Sequence, residues 1–291
     1  MSGLLNTGYT NYVARKKKLK ISPVIFLCIT ALLLFLFVRN NSDTKSNTAQ
    51  KNLVNESAKT DKQPAKDYNL QPTIDQWAAL QQGKASIVVY DLQNQKFIGA
   101  INPETQYFTA SIYKLFVAYE GYLAIQNGKY SEDDPYLTGY TRGQCLDAMI
   151  RDSYSPCAEK MWNEIGKDTI TNKLKTYGIE NTSMSGLYTT AQDVTLLLKR
   201  LYEKKELNQT NTDKFLDSMK NQDSKYRRGL PSGFADATVY NKVGWNEDIE
   251  WHDAAIVTIK NGNSYIIVVL TKNIGSANIA KLGSMANSSL K

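Results

Sequence analysis

The sequence predicts an α+β domain: one antiparallel sheet flanked by terminal helices, with an all-helical subdomain between its strands and one transmembrane helix ahead of it. Three observations carry this. Strand-like runs lie at both ends of the region after residue 70, and helical spacing fills the middle. Ile21 to Val38 reads ISPVIFLCITALLLFLFV, with no charge inside. The stretch between that run and the domain is polar and poor in large apolar residues.

The elements follow in chain order. Residues 1–20 form a basic tail, since Arg15, Lys16, Lys17, Lys18, Lys20 and Arg39 give residues 1–40 a charge of +6 out of the total +7. A nucleic-acid binder carries its basic stripe on the folded domain, so the remaining +1 argues against that class. Residues 21–38 are the anchor. Eighteen residues at about 1.5 Å each span about 27 Å, enough for a hydrocarbon core. The Lys/Arg cluster ahead of it places the N-terminus in the cytoplasm and everything after Asn40 outside. A cleaved signal peptide is the rival, but the run is long and no A-x-A site follows closely. Cys28 follows Leu27, too large for a lipoprotein signal. Residues 39–70 cannot bury enough surface to offset chain entropy and read as a flexible tether. Residues 71–291 are long enough for one domain with a real core.

Within that domain, Thr73 to Gln82 reads as a short amphipathic helix. Ala85 to Leu92 and Lys96 to Ile101 read as a hairpin. Lys114 to Ile125, Gln144 to Arg151, Pro156 to Ile165, Thr169 to Tyr177 and Ala191 to Lys205 show helical spacing. Strands return at Thr238 to Val243, Ala254 to Lys260 and Ser264 to Thr271, with Asn261–Gly262 as a hairpin signal between the last two. Ala277 to Leu290 is a closing helix.

Several chemistries are disfavoured. The chain has one histidine, His252, and only Cys145 and Cys157 outside the anchor, too few ligands for a usual zinc site. Neither a G-x-S-x-G elbow nor a glycine-rich nucleotide motif occurs, and no cofactor is implied. His252 reads as a turn residue between two strands. Ser111-Ile112-Tyr113-Lys114 is more pointed. Ser111 and Lys114 are i and i+3 at the start of an apolar helix, so the amine can reach the hydroxyl. Apolar surroundings push a lysine toward its neutral, proton-accepting form. From this stretch alone, an N-capping serine beside a surface lysine fits as well. A second S-x-x-K, Ser42 to Lys45, lies in the tether.

Two further stretches, Ser153-Tyr154-Ser155 and Lys242-Val243-Gly244, follow in order. With S-x-x-K they resemble the S-D-N and K-T-G motifs of the class A β-lactamase and penicillin-binding-protein family of active-site serine enzymes. The resemblance runs from about Thr73 to the C-terminus. It implies a β-lactamase/transpeptidase-like fold and an acyl-enzyme on Ser111, with Lys114 as proton acceptor. It implies that Ser153 relays a proton to the leaving nitrogen and that Ser155 holds the substrate. Lys242, on an inner strand, would attract the substrate carboxylate. The backbone N–H groups of Ser111 and Trp245, the residue after Gly244, would form an oxyanion hole, each donor contributing roughly 3–4 kcal/mol. The substrate would be a β-lactam or a D-alanyl cell-wall peptide.

The departures bear on turnover. Ser155 replaces Asn, Tyr154 replaces Asp, and Val243 replaces a hydroxyl residue. The family's deacylating Glu, with Asn four residues on, has no counterpart in IENTSMSGLYTT, where Glu180 is followed at +4 by Met184. Glu159 and Asn163 have that spacing but read as solvent-face residues of the helix after Ser155. Weak deacylation is therefore expected; the alternative is a non-catalytic relative that binds cell-wall peptides or a protein partner. Cys145 and Cys157 flank the Ser153 loop. Outside the cytoplasm a disulfide would clamp it, two buried thiols being the alternative.

Overall fold

The computed structural model describes residues 66–291 except residue 248. The basic tail, the anchor and nearly all of the tether lie outside the described residues. Among the described residues no helix is long and apolar enough to cross a membrane.

A five-stranded antiparallel sheet organises the domain. Its strands are β1 (Lys84–Asp91), β2 (Lys96–Ile101), β7 (Thr238–Asn246), β8 (Glu250–Thr258) and β9 (Ser264–Lys272), in the order β2-β1-β9-β8-β7. The central β9 is buried from Ser264 to Thr271, which is why Ile266 to Leu270 reads IIVVL rather than alternating. Register sorts the strands by parity. Val88, Tyr90, Ala254, Ile256, Ile266, Val268 and Leu270 face the helical subdomain. Ile87, Val89, Ala255, Val257, Ile267 and Val269 face the other way, against α1 (Gln71–Ala78) and α9 (Ser276–Ser289).

The inserted subdomain holds α2 (Tyr113–Gln126), α3 (Arg142–Arg151), α4 (Ser155–Ile165), α5 (Lys167–Thr176), α6 (Ala191–Tyr202) and α7 (Gln209–Lys220). Two short ladders join it: β3 (Tyr107–Phe108) with β6 (Tyr188–Thr189), and β4 (Pro135–Leu137) with β5 (Tyr140–Thr141). Helix α2 is the axis, because every residue from Tyr113 to Leu123 is buried, as a helix apolar on all sides must be. α3 starts at a capping box made by Thr141 and Gln144.

Four sequence expectations are corrected. The last residues of the expected tether belong to the fold: Leu70 is fully buried, and its N–H bonds to Ile98 O. α7 lies in NQTNTDKFLDSMK, where Phe215 and Met219 are the large apolar residues it buries, too sparse a pattern to read as a helix, although Asn208 caps it. β8 starts at Glu250 rather than Ala254, because Glu250, His252 and Asp253 are polar yet buried within the strand. His252 is therefore a strand residue. Finally, β7 is an edge strand, so Lys242 does not sit on an inner one.

Cys145 of α3 and Cys157 of α4 are joined by a disulfide, which brackets the loop carrying Ser153. The two cysteines lie 12 positions apart. On a chain-entropy basis a loop of this length restrains the unfolded state by about 3 kcal/mol. Replacing both cysteines with alanine is expected to lower the unfolding free energy by about that amount in urea titration. A loss below about 1 kcal/mol would mean that the bridge hardly constrains the unfolded chain.

Candidate active site

Ser111 sits in a 3-10 turn, Ala110–Ile112, that runs directly into α2. The chain enters it through Ala110 at φ 42°, a left-handed conformation rare for a residue with a Cβ. Lys114 follows one turn on. Its Nζ lies 2.8 Å from Ser111 Oγ, 2.9 Å from Ser153 O, 3.0 Å from Ser155 Oγ and 3.4 Å from Ser153 Oγ. Ser153, in the loop between α3 and α4, is also left-handed, at φ 54°. That twist lets its carbonyl and its hydroxyl face the same amine. Two non-glycine residues in this conformation beside one amine mark a site where the surrounding fold imposes the backbone.

Lys242 reaches in from β7. Its Nζ is 3.0 Å from Ser153 Oγ and 2.7 Å from Val243 O. The structure thus gathers Ser111, Lys114, Ser153, Ser155 and Lys242 into one hydrogen-bonded cluster. Gly244 explains how the strand gets close enough. A Cβ there would stand 3.0 Å from both Thr109 O and Ile112 Cγ1, so a side chain would push β7 off the Ser111 turn. Trp245 follows on the exposed end of the strand, its ring edge-on to Trp251.

Burial sets the electrostatics. Lys114 is 1 % exposed, and desolvation lowers its pKa to about 8, with Glu159 pulling upward. Lys242, fully buried, is held well below the usual lysine range, first by desolvation and then by the charge of Lys114, with Asp253 acting in the opposite direction. Asp253 is buried on β8, and desolvation pushes it up to about 7. Its carboxyl accepts from Leu230 N (2.7 Å) and Asn241 Nδ2 (3.0 Å). Arg227 donates to Asn241 Oδ1 at 3.0 Å.

Sequence reading missed three supports. Gln222 accepts from Val243 N and donates to Ile150 O, tying the edge strand to the end of α3. His252 Nδ1 accepts from Thr271 N at 3.0 Å, so Nε2 carries the proton and donates to Phe108 O at 2.7 Å. The imidazole thereby pins the segment leading into Ser111 to the sheet. Asn241 and Asp253 are the third support. The nearest signal was NK at 241–242, which carries no motif of its own.

Glu180 is exposed and its charge acts on Asp193, not on Lys114. Asp193 fixes the surrounding loop by accepting from Asn181 N and Thr182 Oγ1.

A family model described as the β-lactamase enzyme family matches residues 69–289. Solved structures share the fold at low identity. PBP-A has a TM-score of 0.68 and 20% identity, covering 76% of this chain and 95% of its own. A β-lactamase from Chitinophaga pinensis has a TM-score of 0.66 and 17% identity, covering 76% and 98%. A PBP-A variant solved as an acyl-enzyme complex with penicillin G has a TM-score of 0.68 and 18% identity, covering 75% and 94%. No curated protein matches the chain.

His252, lowered by burial to about 4, and Asp253, raised by burial to about 7, have opposite linkage. Between about pH 4 and 6.5 the unfolded state binds a proton at His252 that the folded state refuses, so this group's contribution is lost as pH falls. Over much the same window folded Asp253 keeps a proton that the unfolded chain releases, so its contribution is lost as pH rises. Asp253→Asn should therefore expose the histidine: urea midpoints of the variant should fall by the equivalent of ~2–3 kcal/mol from pH 6.5 to 4, while wild type changes much less. Because the chain has a single histidine, its imidazole NMR signal reads the same titration directly.

Proposed function

The chain belongs to the β-lactamase enzyme family, and from that premise we propose that it is a serine acyl-transfer enzyme, anchored in the cell membrane by residues 21–38 with its domain outside the cytoplasm. The observation that carries the reading is the 2.8 Å contact between a buried lysine amine and a serine hydroxyl. With a pKa near 8, Lys114 is neutral often enough to take a proton and basic enough to hold it.

Ser111 Oγ attacks the carbonyl carbon of a β-lactam or a D-alanyl cell-wall peptide, and its proton passes to Lys114 Nζ. The tetrahedral oxyanion is held by the N–H groups of Ser111 and Trp245. As the C–N bond breaks, Ser153 delivers a proton to the leaving nitrogen. Ser153 lies between the two lysines, within 3.4 Å of Lys114 and 3.0 Å of Lys242, which supports this relay. Lys242 attracts the substrate carboxylate, and Ser155 holds the substrate amide through one hydroxyl. Release is slow, because the 178–190 loop offers Glu180, exposed and with its charge acting on Asp193, where the family has its water-activating acid.

An intact-mass spectrum after exposure to a penicillin tests the proposal. A single adduct is expected on wild type, persisting for many turnover times of an efficient β-lactamase, and none on Ser111→Ala. Labelling should quicken as pH rises toward about 8, as Lys114 loses its proton. Lys114→Ala should slow it by about 10²–10⁴-fold. An unlabelled wild type, or a labelled Ser111→Ala, overturns the assignment.

A further inference from the structure

To attract a carboxylate, Lys242 has to hold a proton at a position with no solvent exposure. A lysine ammonium has three N–H donors. Two oxygens stand within reach of them, Ser153 Oγ at 3.0 Å and Val243 O at 2.7 Å, and both are uncharged. Beyond these oxygens the ring of Tyr226 lies under the amine, its centre 5.5 Å from Nζ. At that distance an aromatic face attracts a cation, and more strongly where water is excluded. Tyr226 ends a 3-10 turn, Ser224–Tyr226, between α7 and β7. The main chain fixes this turn to both neighbours of the site. Asp223 N donates to Arg151 O at the end of α3, just ahead of Ser153, and Asn241 Nδ2 donates to Tyr226 O at 3.1 Å. The ring itself is therefore not needed to hold the segment in place.

We propose that Tyr226 is a positioning residue for Lys242: the face of its ring takes the third side of the ammonium, which keeps the side chain charged and aimed at Ser153. This rests on the acyl-transfer reading above, in which Lys242 meets the substrate carboxylate. Tyr226 exchanges no proton and touches no reacting atom. It acts only on the amine, through the negative face of the ring.

The other groups around Lys242 do not supply this support. Lys114, on α2, carries charge of the same sign and works against the ammonium. Asp253, on β8, favours it, but that carboxyl is taken up by Leu230 N and Asn241 Nδ2, and burial keeps it protonated up to about pH 7. Arg227 donates to Asn241 and brings a further positive charge. A second lysine, Lys225, also lies over the Tyr226 ring, at 4.9 Å. Lys225 is exposed and paired with Asp223 at 3.4 Å, so water and a carboxylate support its charge without the ring. Lys242 is fully buried and bonds to neutral oxygens, so the ring matters most to it.

The test compares Tyr226→Phe, which keeps the ring, with Tyr226→Leu, which removes it; both keep the main-chain bonds of the turn. The full-length chain in detergent is titrated by NMR of ¹³C-labelled lysine, following the methylene next to Nζ and assigning Lys242 by its loss in Lys242→Arg. The Lys242 signal should be displaced by the ring current in wild type and Tyr226→Phe, and its midpoint should fall by about 0.4–1.5 pH units in Tyr226→Leu alone. Penicillin labelling at neutral pH should slow by about 2- to 30-fold in Tyr226→Leu and stay within about twofold of wild type in Tyr226→Phe. Should the leucine variant lose the wild-type His252 imidazole signal, Tyr226→Met takes its place. An unchanged Lys242 midpoint without the ring, or an equal fall in Tyr226→Phe, overturns the inference whether or not the protein labels. A midpoint that falls only when the ring is lost, in a protein that takes no label, supports the hold of Tyr226 on Lys242 and counts against the acyl-transfer reading instead.

Discussion

A lysine amine at the buried start of an apolar helix is the constraint around which this domain is arranged. Left alone, Lys114 would be a costly group in a core that includes Leu115, Phe116 and Val117. It is tolerated because three separate segments bring oxygen to it: the Ser111 turn, the Ser153 loop and the first residue of α4. Each segment is held by something other than the lysine. His252 pins the entry to the turn, the disulfide brackets the loop, and the packing of Met161 and Trp162 seats α4. The amine is therefore surrounded by donors and acceptors that were placed before it needed them. Preorganisation of that kind lets a modest shift in proton affinity become chemistry.

The edge position of β7 is the second half of the design. An edge strand has one side without a neighbouring strand, and here Gln222 takes the N–H of Val243 and links it to α3. The same strand carries Lys242 inward to Ser153. Behind it, Asp253, Asn241 and Arg227 form a buried polar network between β7, β8 and the segment before the short helix Leu230–Gly233. Two lysines thus share one serine, with a carboxyl behind the second. Burial raises the proton affinity of that carboxyl and lowers that of the lysine, so the charges are kept small in the place where they are most expensive.

Much of this was legible in the sequence. The hairpin at residues 84–101, the helices of the middle region and the closing helix follow from periodicity, because each turns its apolar residues to one or the other face of the sheet. Ser111 and Lys114 could be paired from spacing alone, since i and i+3 must meet on a helix. The Ser153 and Lys242 segments needed the family resemblance, because nothing local says that residues 39 and 128 positions away will arrive at the same amine. The rest was hidden for particular reasons. α7 buries few large apolar side chains, so its period is faint. His252 and Asp253 looked like loop residues because polar groups in a strand read as breaks, whereas here the sheet and the turn supply their partners. The left-handed backbone at Ala110 and Ser153 has no sequence signature, since neither residue is glycine.

The bridge between α3 and α4 has a consequence for biogenesis. Both sulfurs lie in cysteines with no solvent exposure, in the same core cluster as Leu146, Met149 and Met161. Once these helices have packed, oxidant reaches them only through a local opening of the core. The covalent link therefore forms before that packing is complete or during its local opening, so a chain that closes its core first holds two thiols that oxidise slowly. Order of events, not equilibrium alone, then decides which copies emerge with the serine loop fastened.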